Sequence, residues 1–155
     1  MRISYKVDYG VRAMVSLAAA QAQAPGSPIS RAVLAAEQGI PTASLEDILR
    51  DLAKAGLTRS MRGRVGGWLL ERPAREVTVA EVIRALEGPL ASVRGIRPHE
   101  LAGDGVAQPY IDLWVSVRAA LRSVLEAVTI ADLADGHLPA DVAAWLDRPG
   151  AWDAP

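Results

Sequence analysis

The stretch Leu57-Thr58-Arg59-Ser60-Met61-Arg62-Gly63-Arg64-Val65-Gly66-Gly67-Trp68-Leu69-Leu70 decides how this chain is read. Two short runs of alternating apolar character flank a tip built only of arginine, glycine and valine, which predicts a β-hairpin with a basic tip. Gly63, Gly66 and Gly67 permit positive φ and close backbone approach to a surface, and Arg59, Arg62 and Arg64 bring cations to that approach. A strand ribbon lying along a DNA groove requires both properties.

The residues before the hairpin supply its context. Ile29 to Ala36 is a short apolar-periodic run, Glu37-Gln38-Gly39-Ile40-Pro41-Thr42 is turn chemistry, and Ala43 to Ala55 places Leu45, Ile48, Leu49 and Leu52 on one helical face. Gly39 is suited to end the first helix in a left-handed conformation, Pro41 restrains entry to the second, and Gly56 closes it. Helix, tight turn, helix, basic hairpin is the order of a winged helix-turn-helix. In that geometry the second helix points Thr42, Ala43, Ser44, Glu46 and Asp47 at base edges in the major groove.

The formal charge of −1 averages over two unlike halves. Residues 1–72 hold ten Lys/Arg against six Asp/Glu, a balance of +4, and residues 73–155 hold seven against twelve, a balance of −5. The sign changes where the hairpin ends, as expected of a DNA-facing half joined to one that faces away. No apolar run approaches about eighteen residues and no basic-then-apolar leader is present, so a soluble cytoplasmic protein without a membrane partner is expected. With no cysteine there is no thiolate site, and His99 and His137 are too few for a zinc enzyme centre. No nucleophile elbow, phosphate loop or spaced His/Asp/Glu ligand set emerges, so the sequence predicts no enzyme, metal or cofactor.

Outside the hairpin the chain reads as helical. Tyr5 to Gln23 forms a first helix capped by Ser4, and Ala24-Pro25-Gly26-Ser27-Pro28 ends it as a loop. Thr78-Val79-Ala80-Glu81 has the spelling of a capping box opening a helix that Gly88-Pro89 stops. Residues 90–109 are broken by Gly95, Pro98, Gly103, Gly105 and Pro109 and read as a sensor-like loop with a short helix at Pro98 to Leu101. Tyr110 to Val128 then has the cleanest periodicity, and at 1.5 Å per residue it spans about 28 Å. That is too long for a small winged domain to cover. Its face of Ile111, Trp114, Val117, Leu121, Val124 and Leu125 is therefore expected to pack on a second copy; the alternative is packing on the first helix of the same chain. Short helices at Thr129 to Leu133 and Pro139 to Leu146 precede a loose tail, 148–155.

The expected fold class is thus mostly α with a small β-hairpin wing: a winged helix-turn-helix over 1–73, a connecting helix over 74–89, the loop over 90–109, and a dimerisation helix with C-terminal helices over 110–147. Gly39-Ile40-Pro41, Leu45-Glu46, Leu52-Ala53-Lys54-Ala55-Gly56-Leu57, Arg62-Gly63, Gly66-Gly67-Trp68-Leu69-Leu70 and Val79-Ala80-Glu81-Val82-Ile83-Arg84-Ala85-Leu86-Glu87-Gly88-Pro89 resemble the bacterial repressor family that includes IscR, NsrR, RirA and CymR. The openings Met1-Arg2-Ile3-Ser4-Tyr5-Lys6 and Tyr9-Gly10-Val11-Arg12-Ala13-Met14 share the likeness, which covers about residues 1–135. The resemblance implies a DNA-binding homodimer that represses or activates transcription, with the long helix crossing between subunits. In the best-known members three cysteines in the loop before that helix hold an iron-sulfur cluster. Here Ser92 to Gln108 contains none, and Asp8, which matches a cluster-completing position in some members, lacks thiolate partners.

On these grounds Arg62 and Arg64 are expected at phosphates or in the minor groove, and Thr42 and Ser44 at phosphates. Glu46 either accepts from a cytosine amino group or pairs with Arg50 at i,i+4. Arg2, Lys6, Arg31 and Arg59 add salt-dependent attraction. Trp68 is expected to pack the wing onto the helices, Trp114 to enter the dimer core, and His99 with Glu100 and Asp104 to be surface. The competing reading is a winged-helix module for protein partners, controlled by a partner enzyme or small-molecule effector. Arginine at both Arg62 and Arg64 argues for DNA.

Overall fold

The computed structural model describes residues 2–63, 66–103, 105 and 107–153. Helix α1 (Tyr5–Gln23) is the central element, with Ala13, Met14 and Leu17 fully buried. Ser4 starts it by accepting from the Val7 N–H at 3.2 Å. Against it pack α2 (Arg31–Gln38), which contributes Leu34, and α3 (Thr42–Lys54), which contributes Leu45, Leu49 and Leu52. Each such leucine stabilises the fold by about 1.5–3 kcal/mol through removal of its surface from water. Gly39 has φ 61° and ψ 34°, the left-handed geometry that ends α2 and lets the chain turn tightly into α3.

Strands β1 (Thr58–Met61) and β2 (Gly67–Leu70) pair antiparallel, Thr58 opposite Leu70 and Met61 opposite Gly67. The buried Thr58 hydroxyl donates to the Leu49 carbonyl at 3.0 Å, which pins the hairpin to α3. A further link joins the hairpin to the chain entering α2. The Ile29 N–H donates to the Trp68 carbonyl (3.0 Å) and the Trp68 N–H to the Ile29 carbonyl (2.8 Å). Ile29 therefore bridges to β2 of the wing, and the helix begins at Arg31.

After a 3-10 turn at Ala74–Glu76, α4 (Val79–Glu87) opens with the capping box that its sequence spells, the Thr78 N–H donating to Glu81 at 2.9 Å. A tight turn at 93–96 and a 3-10 helix (Pro98–Gly103) lead to α5 (Gln108–Leu125). Pro109 does not break this helix, because it lies in the first turn where no backbone N–H partner is needed. Val128 lies beyond the helix end, since its carbonyl accepts from the Val79 N–H at 2.9 Å. Helix α6 (Ile130–Ala134) opens on a second capping box, Thr129 with Asp132, and packs on α1; α7 (Ala140–Ala143) follows. The tail expected to be loose is turned through Asp153, with Arg148 stacked over the Trp145 ring and the Trp152 indole N–H donating to the Leu146 carbonyl at 3.0 Å.

Candidate nucleic-acid interface

A groove of about 700 Å³ runs between the helix pair and the wing, lined by Arg31, Thr42, Glu46, Arg50, Ser60 and Gly66 among others. Its floor is the start of α3. Pro41 precedes this helix and offers no side-chain cap, so the first-turn N–H groups beside the exposed Thr42 and Ser44 stay open to an external acceptor. By contrast Ser4, Ser30, Thr78 and Thr129 cap α1, α2, α4 and α6 with their hydroxyls.

Glu46 is the hub of the groove. It forms ion pairs with Arg31 on α2 and with Arg50 on α3 (3.1 Å), while Arg50 also reaches Asp47 at 3.1 Å. This free-state network holds two guanidinium groups at the rim, where water screens them. The i,i+4 pairing expected of Glu46 is thus present, and contact with Arg31 adds a link between the two helices that sequence spacing alone did not indicate. Arg62 extends exposed from the end of β1 with no ion pair among the described residues, whereas Arg59 lies 3.5 Å from Glu71. Arg64 and the adjoining Val65 lie outside the described residues.

Two expected contributors sit elsewhere. The Lys6 ammonium donates to Asp51 (2.8 Å) and to the Leu86 carbonyl (3.2 Å), clamping α1 to α3 and α4. Lys54, then Lys6, hold the Asp51 carboxyl at about 2, below its usual 3.8. Arg2 borders a cavity formed with Ile83, Glu87 and Leu90 rather than the wing groove.

Two of the three wing glycines are packed against the chain's own backbone. A Cβ on Gly67 would overlap the Ile29 carbonyl oxygen and lie 2.5 Å from its carbon; one on Gly66 would lie 2.6 Å from the Met61 carbonyl oxygen. The close approach is to the chain itself. Only Gly63 of the three takes a positive φ, at 125°. Trp68 is half-buried against the core, as expected.

On α5 the expected dimer residues separate into distinct environments. Ile111 is 5% exposed and packs inside its own chain, so it is not free to meet a second copy. Trp114, Leu121 and Leu125 are half-buried along a cavity of about 420 Å³ shared with Ile83, Leu90 and Pro98; Val124 is half-buried. Val117 also lines that cavity at its edge but remains exposed, and Tyr110 and Leu113, which is 54% exposed, lie on the outward side beside it. The sequence reading counts Leu113 in the helix's apolar periodicity but not as an interface residue, and it gives Tyr110 no such role, although 110, 113 and 117 have the i, i+3, i+7 spacing of one helical stripe.

A transcriptional-regulator family model, Rrf2, described as iron-dependent transcriptional regulators, matches residues 3–136. The chain belongs to the Rrf2 family. Its relatives include a Mycobacterium tuberculosis protein assigned to the HTH-type transcriptional regulators, 48% identical over 95% of this chain and 89% of that one. Similar solved structures are CymR, the global cysteine regulator of B. subtilis (TM-score 0.66, 30% identity, 87% of this chain and 97% of that one), and T. potens IscR (TM-score 0.70, 32% identity, 87% of each). The winged-helix architecture and the regulator class follow, and this Rrf2 protein is not an enzyme. The iron in the family description does not fit the donors here. Cysteine is absent, and the described residues bring no three His, Asp or Glu together as a metal set. His137 instead lies 3.3 Å from Asp132, whose carboxylate caps α6. No described helix is long and apolar enough to cross a membrane.

Proposed function

We propose that this Rrf2 protein is a homodimeric repressor that reads a pseudo-palindromic double-stranded DNA operator, with one α3 in each major-groove half-site and each wing in flanking minor groove. The observation that carries the reading is the groove itself: an uncapped helix N-terminus, Thr42 and Ser44 beside it, and Arg31 and Arg50 on its rim, with Arg62 leaving β1 next to it. Backbone N–H groups and guanidinium groups then meet phosphates, and Glu46 can exchange its two arginine partners for a base amino group. Two-fold pairing is supported by the exposed stripe of Tyr110, Leu113 and Val117 on α5, whose coverage by a second copy removes apolar surface from water. The cavity beside Trp114 is large enough for a small-molecule effector.

Selection of bound fragments from genomic DNA with purified protein, at two salt concentrations, tests the reading. A two-fold motif whose enrichment falls steeply with salt is expected. Enrichment of no sequence at either salt would overturn it.

A further inference from the structure

Most of the positive charge in the second half of the chain is gathered in one place. Arg84 of α4, Arg97 from the segment after the tight turn, and Arg118 and Arg122 of α5 line a single cleft of about 560 Å³, with Gly88, Pro89, Leu90 and Glu126 completing its wall. These are four of the seven basic residues after position 72, in a half whose balance is −5. Chance scattering over an acidic surface would not bring them together.

The cleft's own carboxylate does not neutralise them. One oxygen of Glu126 accepts from both Arg84 and Arg122 (2.9 Å for Arg122), and those two guanidinium groups hold its carboxyl at about 2. Among the described residues Arg97 pairs with Glu100 alone, outside the cleft wall, at 4.0 Å. Half-buried Arg118 makes no ion pair among the described residues. Four guanidinium groups face one carboxylate on the cleft wall, and with Glu100 beside Arg97 the cluster still carries more positive than negative charge. Planar, fork-shaped donors at several angles around such a space match the oxygens of a phosphate or diphosphate.

We propose that this cleft between α4 and α5 is a binding site for a small molecule carrying a phosphate or diphosphate group. Pro89 and Leu90 add an apolar wall against which an organic part of the ligand can rest. The anion bridges Arg118, which has no ion pair among the described residues, and Arg97, whose carboxylate partner Glu100 lies outside the cleft wall, while Glu126 keeps Arg84 and Arg122 in position. Because α4 also packs on α3, the site lies one helix away from the groove described above.

Isothermal titration of the full-length protein with inorganic pyrophosphate, at constant ionic strength and without DNA, tests this directly. Saturable binding of one pyrophosphate per chain is expected, weakened at least tenfold by Arg118→Ala and by Arg97→Ala. Arg75→Ala removes an exposed arginine outside the cleft and should leave the affinity unchanged. Arg118 has no ion-pair partner among the described residues to orphan, so its variant should fold normally by circular dichroism. No saturable heat with the unmodified protein, or equal weakening by Arg118→Ala and Arg75→Ala, would overturn the site. So would a loss of DNA affinity or a change of oligomeric mass in Arg118→Ala without pyrophosphate, because the cleft would then grip a nucleic-acid backbone or a second copy.

Discussion

Replacing Gly67 by alanine tests the wing's attachment. The new Cβ would collide with the Ile29 carbonyl group, so β2 and the segment entering α2 must separate. Separation threatens the two backbone hydrogen bonds between Ile29 and Trp68, each contributing about 0.5–1.5 kcal/mol net. Residual overlap adds roughly 1–3 kcal/mol, as overpacking of a filled site does. The expected loss is therefore about 2–6 kcal/mol. For a domain of this size it lowers Tm by on the order of 10 °C. Gly26→Ala sets the scale for backbone strain alone, because Gly26 also has positive φ (78°) but open space around it; it should cost only about 1–2 kcal/mol. Urea unfolding followed by circular dichroism, with tryptophan fluorescence as a second probe of the Trp68 region, measures both. A Gly67→Ala protein within 1 kcal/mol of wild type would refute the reasoning. If that variant kept its stability but lost DNA affinity, the glycine would serve approach to the duplex and not to Ile29.

Other perturbations bear on the interface and on charge. Arg62→Ala should weaken operator binding and lower the slope of log K against log salt by about 0.9 for each phosphate left without its arginine, near 1.8 for a dimer; an unchanged slope in fluorescence anisotropy would remove the wing from the interface. Leu113→Asp combined with Val117→Asp should halve the mass seen by light scattering while the circular dichroism spectrum persists, and a mass equal to that of the unmodified protein would place the subunit contact elsewhere. The folded-state carboxyls of Asp51 and Glu126 lie at about 2, below their usual 3.8 and 4.5, owing chiefly to Lys54 and to Arg122 respectively. Depressed carboxyls stabilise the fold fully above their usual values, and that contribution fades as pH falls through about 2. Thermal unfolding of Asp51→Asn against wild type should therefore show a gap at pH 6 that closes between about pH 4 and 2, and a gap independent of pH would contradict the ion pairing.

Local rules carried much of the architecture. The Ser4 cap, the left-handed Gly39, the Thr78–Glu81 box and the one-sided spacing of Leu45, Ile48, Leu49 and Leu52 act within a few residues, so their outcome is visible in the chain itself. The Thr129–Asp132 box was equally legible, since Asp stands where Glu or Gln usually does, and Pro109 could have been placed at a helix start by the same asymmetry. The candidate groove was legible as far as Thr42, Ser44, Glu46, Arg50 and Arg62, because helix and hairpin order assigns them to one side.

What sequence could not supply was partner choice across distance. Lys6 reads as a free cation until α1 brings it to Asp51 and the Leu86 carbonyl, and Arg31 reads as one until α2 brings it to Glu46. Gly67 reads as freedom for a ligand until Ile29 is seen against it. Ile111 reads as part of an intersubunit stripe until it is found buried within its own chain, and the four arginines of the α4–α5 cleft are dispersed between positions 84 and 122. Periodicity and capping are energies of neighbours along the chain, and the sequence determined those: the helices, the turn and the hairpin. Burial and ion pairing are energies of neighbours in space, so only the packing of α1 against the rest decided which charges remained available and which were already engaged.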